Sequence, residues 1–335
     1  MEELHEIWKE LYQIALEIRD LAPWELLWSK DKIAILLPDR EHPVYCSVLG
    51  KGGSCYGICV YHTLRGIYGA KWLEENEVPP LQQSRYQECL IYYLGNREQL
   101  SVRDRRVLDD LGLKFRGKNA WPYFRALEAG CPPTELNREQ AELMITTLRN
   151  LFMAVRALKE GRISCRFDGG EILYRNYDQQ QECWKTYAKQ APLPEIHYPQ
   201  MLITDELLLE RLRRTEFTED VLEIDIASLG ISVKEKGKGK TRFARCCMIA
   251  DHETGRLEWS ERVLCDNQVQ DVLVDGFVAW VEQYGVRPEE ILVRDEEMYV
   301  MLAGICSQLE ISICIDPCLE AIDRLLERGL RCSEE

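Results

Sequence analysis

Apolar positions recur along this chain at two spacings, and each spacing predicts a type of element. Steps of three and four residues that begin at Leu4 and end at Ile18 predict an amphipathic helix over residues 3–20. A capping box formed by Asn137 and Gln140 predicts the start of the longest helix in the chain. Short apolar runs bounded by turn residues predict the strands of the first half, at residues 32–37, 43–50, 56–63 and 88–95.

Turn and capping residues add three further expectations for the first half. Ser101 and Gly112 bound a predicted short helix. A second helix is expected to begin at Trp121-Pro122, because proline is tolerated in a first helical turn. The sequence Asp168-Gly169-Gly170 predicts a tight hairpin between strands at residues 162–167 and 171–177.

The second half predicts a regular order of elements. Prolines at 192, 194 and 199 mark a semi-rigid connection, which divides the chain into domains at residues 1–191 and 200–335. After a short helix near residue 205, apolar periodicity predicts the order β-β-β-α-β-α-β-α from residue 221 onward. Consecutive strands can form a meander, and strands separated by helices pair in parallel.

This order of elements resembles the ribonuclease-H-like fold. We therefore expect an α+β N-terminal domain of unknown function, followed by an α/β ribonuclease-H-like domain with a mixed five-stranded sheet.

Composition narrows the classes of protein that fit this pattern. The 335 residues are 46% hydrophobic and 30% charged, and no apolar run reaches the roughly 18–20 residues that span a bilayer. The acidic amphipathic start differs from a signal peptide, so we expect a cytoplasmic protein without a membrane partner. The 14 cysteines are scattered along the chain, often in apolar runs, which is typical of buried reduced thiols.

Charge is distributed unequally between the two halves. Of 42 Lys+Arg and 57 Asp+Glu, residues 1–199 hold 26 and 28, which leaves 16 and 29 for the remainder. The second half therefore carries most of the net charge of −15 and repels phosphate backbones at long range. Any nucleic-acid partner must be bound against that repulsion.

Four aspartates of the second half match the acid positions of ribonuclease-H-like nucleases, which hold two divalent ions between carboxylates. Asp225 interrupts the apolar first strand, where a buried carboxylate needs a partner or a metal. The other candidates are Asp295 after the fourth strand, Asp271 in the first long helix, and Asp323, with Glu320 as its alternative, in the last helix. A solvated strand face for Asp225 and a helix cap for Asp295 are the structural alternatives. We expect Mg²⁺ or Mn²⁺ only if the nuclease hypothesis holds. Otherwise we expect no cofactor.

The segment GLKFRGKNAWPYFRAL, residues 112–127, combines basic and aromatic residues without any acid. Such a segment can clamp phosphates and stack on bases, or bind an acidic protein surface. Packing of the aromatic rings in the core is the alternative. The candidate binding residues are Lys114, Arg116, Lys118, Trp121 and Arg125.

A second basic segment, VKEKGKGKTRF, lies between the first two strands of the second domain. Lys236, Lys238 and Lys240 are candidates for phosphate contact, and a solvated hairpin tip is the alternative. The spacing of glycine and lysine does not match a phosphate-binding loop, and we identify no nucleotide-binding motif.

Three strings of the first half, LGLKFRGKNAWPYFR, YYLGNREQL and VYCSVLGKGGSCYGICVY, resemble an N-terminal domain of unknown function found in bacterial proteins. Residues from about 200 onward resemble a second such domain that usually follows it. The resemblance implies a bacterial, cytoplasmic protein with two domains. It implies no established activity and no catalytic residue.

These observations favour a binding or adaptor protein over an enzyme. The basic-aromatic segment would recognise a protein or nucleic-acid partner, and the ribonuclease-H-like domain would be catalytically degenerate. The alternatives are a metal-dependent nuclease acting through Asp225 and Asp295 and a scaffold that only oligomerises.

Overall fold

The computed structural model describes residues 2–190, 192–234, 241–263 and 269–331, which fold into two compact units. The units comprise, first, Met1–Glu74, Gln87–Ala129 and Pro133–Glu195 and, second, Glu75–Tyr86, Gly130–Pro132 and Ile196–Glu335. Two short segments from the first half of the sequence therefore belong to the second unit, whereas the proline pattern divides the chain only once. Within the described ranges, no helix is both long enough and apolar enough to cross a membrane.

A seven-stranded sheet forms the centre of the first unit. Its strands are β1 (Ile33–Leu36), β2 (Val44–Leu49), β3 (Tyr56–Tyr61), β4 (Cys89–Gly95), β5 (Trp121–Leu127), β6 (Glu171–Asp178) and β7 (Cys183–Gln190). They lie in the order β5-β4-β3-β2-β1-β6-β7. All neighbours are antiparallel except β1 and β6, which are parallel.

Helices cover both faces of this sheet. They are α1 (Glu2–Leu21), α2 (Leu64–Glu75), α3 (Val102–Asp110) and α4 (Arg138–Lys159). α1 and α4 pack against the face that carries Ile33 and Ile35. α2 packs on the face that carries Ala34, because successive strand residues point to opposite faces. The predicted α1, α3 and α4 are confirmed, including the capping boxes at Ser101 and Asn137.

The helix predicted at Trp121-Pro122 is wrong, because this segment forms β5 at the edge of the sheet. Proline is tolerated there, since an edge strand needs no N–H donor on its outer side. Two aromatic pairs favour the strand: Tyr93 stacks on Tyr123, and Tyr92 stacks on Phe124, with ring centroids 5.2 and 5.5 Å apart. Such cross-strand pairs outweigh the proline signal.

The hairpin predicted around Asp168-Gly169-Gly170 is also wrong. Residues 162–167 form no strand, and Phe167–Gly169 is a short 3-10 helix. β6 pairs instead with β1 and with β7. β7 gave no sequence signal because it lies at the sheet edge and buries no side chain completely.

The second unit contains the predicted mixed five-stranded sheet. Its strands and helices are α5 (Glu206–Arg213), β8 (Glu216–Phe217), β9 (Val221–Lys234), β10 (Thr241–Asp251), β11 (Leu257–Val263), α6 (Val269–Tyr284), β12 (Val286–Arg287), β13 (Glu290–Val293), α7 (Glu296–Leu309), β14 (Ser312–Ile315) and α8 (Glu320–Arg331). The sheet order is β11-β10-β9-β13-β14. β9, β10 and β11 are antiparallel, and β13 pairs in parallel with both β9 and β14. β8 and β12 form a separate parallel pair.

The two faces of this sheet have different cores. α6 and α7 pack on the face that carries Leu222 and Ile224. α8 packs on the other face, where Ile322 contacts the cluster around Ala227 and Met248. Because side chains alternate along β9, Asp225 points toward the face covered by α8.

Close packing between α6 and β11 gives a first prediction. A Cβ built at Gly276 would lie 2.4 Å from the Trp259 ring, so Gly276→Ala forces the indole to move. We expect a loss of about 1–3 kcal/mol in the free energy of unfolding, measured by chemical denaturation. Gly329→Ala in α8 is the matched control, since nothing lies within 4 Å of its Cβ. Alanine should stabilise that helix by about 0.5–1 kcal/mol, and equal effects of the two changes would contradict this packing.

Candidate functional site

Asp225 lies in the first half of β9 and is fully buried. β13 pairs with β9 only as far as Ile224, so Asp225 lies where the neighbouring strand ends. A carboxylate in such a place is costly unless both of its oxygens have partners. Each oxygen accepts a hydrogen bond from a different arginine.

Arg294 is the first of these arginines and is itself fully buried. Its Nε donates to Oδ2 of Asp225 at 2.8 Å. Its Nη1 and Nη2 donate to the two carboxylate oxygens of Asp323 at 3.1 and 2.7 Å, and Nη1 also donates to the Pro317 carbonyl at 2.7 Å. Arg294 therefore links the central strand to α8.

Arg85 is the second arginine and comes from the segment Glu75–Tyr86. Its Nη1 donates to Oδ1 of Asp225 at 2.5 Å, and its Nη2 donates to Oδ2 of Asp295 at 3.1 Å. The hydroxyl of Tyr86 donates to the same Asp295 oxygen at 2.6 Å. The other oxygen of Asp295 accepts the Met298 N–H at 2.9 Å and caps α7.

Burial and the paired charges together determine the pKa values of Asp225, Arg294 and Asp323. Burial raises the pKa of Asp225, but Arg85 and Arg294 outweigh it and hold that pKa below its ordinary value. Burial by itself lowers the pKa of Arg294. The negative charges of Asp225 and Asp323 outweigh burial, so the pKa of Arg294 is raised above its ordinary value. The pKa of Asp323 is raised because burial outweighs its bonds to Arg294.

The segment that supplies Arg85 is fixed to β9 by Gln82, whose side chain is buried. The amide of Gln82 donates to the Ser228 carbonyl at 3.1 Å and accepts the Ser228 N–H at 2.8 Å. Because β13 has ended by this point, the amide satisfies backbone groups of β9 that lack a strand neighbour on that side. This contact places Arg85 beside Asp225.

A second buried acid of β9, Glu223, holds the start of α8. Its carboxylate oxygens accept the N–H groups of Ala321 and Ile322 at 3.0 and 2.9 Å. One of them also lies 2.7 Å from Nδ1 of His252. Glu223 and Asp225, two residues apart on the same strand face, thus both connect β9 to α8.

Three of the four candidate metal ligands come together, and one does not. Asp225, Asp295 and Asp323 share the two guanidinium groups, whereas Asp271 is exposed on α6 and forms no bond with them. All six oxygens of the three carboxylates accept hydrogen bonds from the chain. In the described part of the chain, no group of three or more His, Cys, Asp or Glu residues is arranged to hold a metal ion. These residues, as placed, do not fit a divalent ion, because Arg85 lies between Asp225 and Asp295.

The basic-aromatic segment divides into exposed and buried residues. Lys114, Arg116 and Lys118 are exposed and form no ion pair with any described residue. Trp121 is partly buried against the core of the first unit. Its ring contacts the Phe115 ring, and the two ring centroids are 5.9 Å apart.

Arg125 differs from the three exposed residues of this segment. It donates to both carboxylate oxygens of Asp104, at 3.1 and 2.6 Å, so its charge is already paired. The second group of candidates, Lys236, Lys238 and Lys240, lies outside the described residues.

The sequence analysis missed three residues of the carboxylate site, the group formed by Asp225, Asp295, Asp323, Arg85, Tyr86 and Arg294. Arg85 and Tyr86 lie in LQQSRYQE, a polar stretch without apolar periodicity, 140 residues from Asp225. Arg294 follows the apolar strand β13 directly, and a charge at the end of a buried strand is a signal that could have identified it.

Comparisons with known proteins give two family matches. Residues 8–175 match the model described as Domain of unknown function (DUF7309), and residues 208–328 match Domain of unknown function (DUF6930). The comparison with curated proteins found no match.

Among solved structures, a chain of "CryoEM structure of simian T-cell lymphotropic virus intasome in complex with PP2A regulatory subunit B56 gamma" is 14% identical, with a TM-score of 0.24. The match covers 39% of this chain and 41% of that chain, and it carries no argument at that score.

The paired charges around Asp225 give a second prediction. Arg85→Met leaves two buried carboxylates with fewer partners, and we expect a loss of about 3–5 kcal/mol in the free energy of unfolding at pH 7. A carboxyl with a lowered folded pKa stabilises the fold above its unfolded pKa of about 3.9. This contribution is lost as pH falls through the folded pKa.

The difference between the wild-type protein and Arg85→Met in the free energy of unfolding should therefore narrow as the pH falls below about 3.9 and through the lowered folded pKa of Asp225. Denaturant titrations from pH 7 to pH 2 measure this difference. Arg328→Met, at an exposed position on α8, is the control and should change little at any pH. A loss for Arg85→Met that stays constant across this range would show that the ion pairs do not cause it.

Proposed function

The chain belongs to the family defined by Domain of unknown function DUF7309, and we propose that it is a bacterial, cytoplasmic binding or adaptor protein. In this proposal the exposed residues Lys114, Arg116 and Lys118 form the recognition element, here called the basic loop. The second unit is a ribonuclease-H-like domain without catalytic activity.

The topology of the second unit supports the ribonuclease-H-like assignment. Three antiparallel strands are followed by two parallel strands, each of which is preceded by a helix. The first strand, β9, lies at the centre of the sheet and carries Asp225. Asp295 follows the fourth strand and Asp323 lies in the last helix, as the acids of such nucleases do.

The loss of catalytic activity is supported chiefly by one observation, the position of the Arg85 guanidinium between Asp225 and Asp295. A two-metal site needs carboxylate oxygens that face an open cavity. Here two arginines donate hydrogen bonds to the two oxygens of Asp225. The carboxylates and arginines of the site form a network of buried ion pairs instead of facing a cavity.

The metal-dependent nuclease remains the second candidate, because Asp225, Asp295 and Asp323 converge as that fold requires. In this alternative, Arg85 would have to leave before an ion could bind. The tight contacts of Gln82 with Ser228 oppose that movement. The adaptor therefore accounts better for the site as it is arranged.

The recognition role of the basic loop is supported by its unpaired charges. Lys114, Arg116 and Lys118 are exposed, in contrast to Arg125, whose charge Asp104 compensates. The rings of Phe115 and Trp121 pack on the core and on each other, so the loop offers mainly positive charge. An anionic partner surface fits this arrangement better than base stacking.

A third prediction tests the basic loop. The double variant Arg116→Glu/Lys118→Glu reverses two exposed charges and should weaken retention of an anionic partner by about tenfold or more near 100 mM salt. A fluorescent single-stranded DNA and polyglutamate serve as separate probes, with binding measured by fluorescence anisotropy. Lys30→Glu/Arg328→Glu makes the same change in net charge at exposed positions elsewhere. Binding that the two double variants weaken equally, or that neither weakens, would remove the basic loop from the proposal.

A fourth prediction separates the adaptor from the nuclease. Isothermal titration of the wild-type protein with MnCl₂ should show no ion bound at the carboxylate site, and incubation with labelled DNA and RNA should show no Mn²⁺-dependent cleavage. Asp225→Asn is the control and should behave identically in both assays. Binding or cleavage that Asp225→Asn abolishes would establish the nuclease instead.

A further inference from the structure

Among the described residues, three arginines that are buried or half-buried lie beside a carboxylate or beside the negative end of a helix. Arg125 pairs with Asp104, and Arg294 pairs with Asp225. Arg287 donates at 2.8 Å to the carbonyl oxygen of Leu309, the last residue of α7, where the helix dipole is negative. These residues satisfy the rule that a buried charge needs compensation.

Arg175 of β6 departs from this rule. Only 8% of its surface is exposed. Its Nε donates to Oδ1 of Asn150 at 2.9 Å, and its Nη1 donates to the Thr186 hydroxyl at 2.7 Å, so both partners are neutral. Within the described ranges it forms no ion pair. Burial alone lowers its pKa, because no neighbouring carboxylate acts against the burial.

The surroundings of Arg175 hold its guanidinium in a fixed orientation. The amide of Asn150 donates to the Thr146 carbonyl at 3.0 Å, which turns its oxygen toward Arg175. On the other side, the guanidinium carbon lies 5.2 Å from the centre of the Trp184 ring. The two neutral hydrogen bonds and this ring contact explain the orientation of the group, but they leave its charge uncompensated.

The free edge of the guanidinium is available to a ligand. Nη2 donates to no described residue and is not among the polar atoms sealed from solvent. Trp184 and Tyr177 lie on the same sheet face, are half-buried and contact each other with ring centroids 5.6 Å apart. A planar pair of donors beside an apolar wall suits a two-oxygen anion.

We propose that Arg175, with Asn150, Thr186 and Trp184, forms a binding site for one oxyanion, the carboxylate or phosphate group of a small ligand. The anion accepts hydrogen bonds from the free Nη1 and Nη2 donors and supplies the missing negative charge. The attached part of the ligand packs on Trp184 and Tyr177. This site lies in the first unit and does not depend on the function proposed for the basic loop.

The experiment compares thermal unfolding at pH 7 in sodium phosphate, sodium acetate and sodium chloride at equal ionic strength. The wild-type Tm should rise by about 2–4 °C in at least one of the two oxyanions at concentrations well above its Kd. A rise with phosphate alone assigns a phosphate ligand, and a rise with acetate alone assigns a carboxylate. No rise in either salt would overturn the proposal.

Arg175→Met should abolish this rise, whereas Arg116→Met, the same change at an exposed and unpaired arginine, should retain it. In chloride, Arg175→Met should unfold at the wild-type Tm or above, because it removes an uncompensated buried charge. A Tm several degrees lower would instead make Arg175 a structural residue and count against the site. If Arg175→Met does not fold, Arg175→Lys decides: it keeps the charge without the planar pair of donors, and an undiminished rise would contradict the proposal.

Discussion

The fold of the second unit depends on how one buried carboxylate is neutralised. Asp225 lies inside a central strand, where an unpaired negative charge costs several kcal/mol even after relaxation. Both of its oxygens must therefore be bonded, and each requires a separate cation. Arg294 donates a hydrogen bond to one oxygen. Because Arg294 is itself a buried charge, it also needs a counter-charge, which Asp323 of α8 provides. Arg85 donates to the other oxygen and also to Asp295, so it connects Asp225 to the start of α7.

This requirement explains why acids occupy the positions that they do. Glu223 accepts the first N–H groups of α8, and Asp225 reaches α8 through Arg294. Two acids at alternate positions of one strand therefore attach the last helix to the sheet. The structure thus gives these carboxylates a role in packing, because they pair with buried arginines and attach helices to the sheet.

The sequence predicts the second unit better than the first for a physical reason. Its strands β9, β10 and β13 contain apolar runs, its helices α6 and α7 are rich in apolar residues, and these local signals agree with the tertiary packing. In the first unit, β5 and β7 lie at sheet edges, where strand pairing decides the conformation and local composition does not. The proline at 122 fits both a helix start and an edge strand, so the sequence alone could not choose.

The carboxylate site shows the same limit in its chemistry. Asp225 could be identified because an acid interrupts an apolar strand, and Asp295 and Asp323 followed from the order of elements. Arg85 could not be identified, because nothing near LQQSRYQE indicates a contact with a residue 140 positions away. The acids could therefore be predicted from the sequence. Arg85, the cation that pairs with two of them, could be identified only from the structure.

Arg85 and Arg175 show where a binding role should be sought in a chain of this kind. Each is largely buried, yet the carboxylates of Arg85 come from the chain itself, whereas Arg175 has only neutral oxygens around it. A compensated group has already gained its favourable electrostatic energy on folding and gains little from a ligand. An uncompensated group has paid for desolvation without that gain, so an anion that reaches it binds with more favourable energy. By this reasoning, ligands should be sought where the chain leaves charge unpaired, at Arg175 and on the exposed residues of the basic loop, rather than where its acids converge.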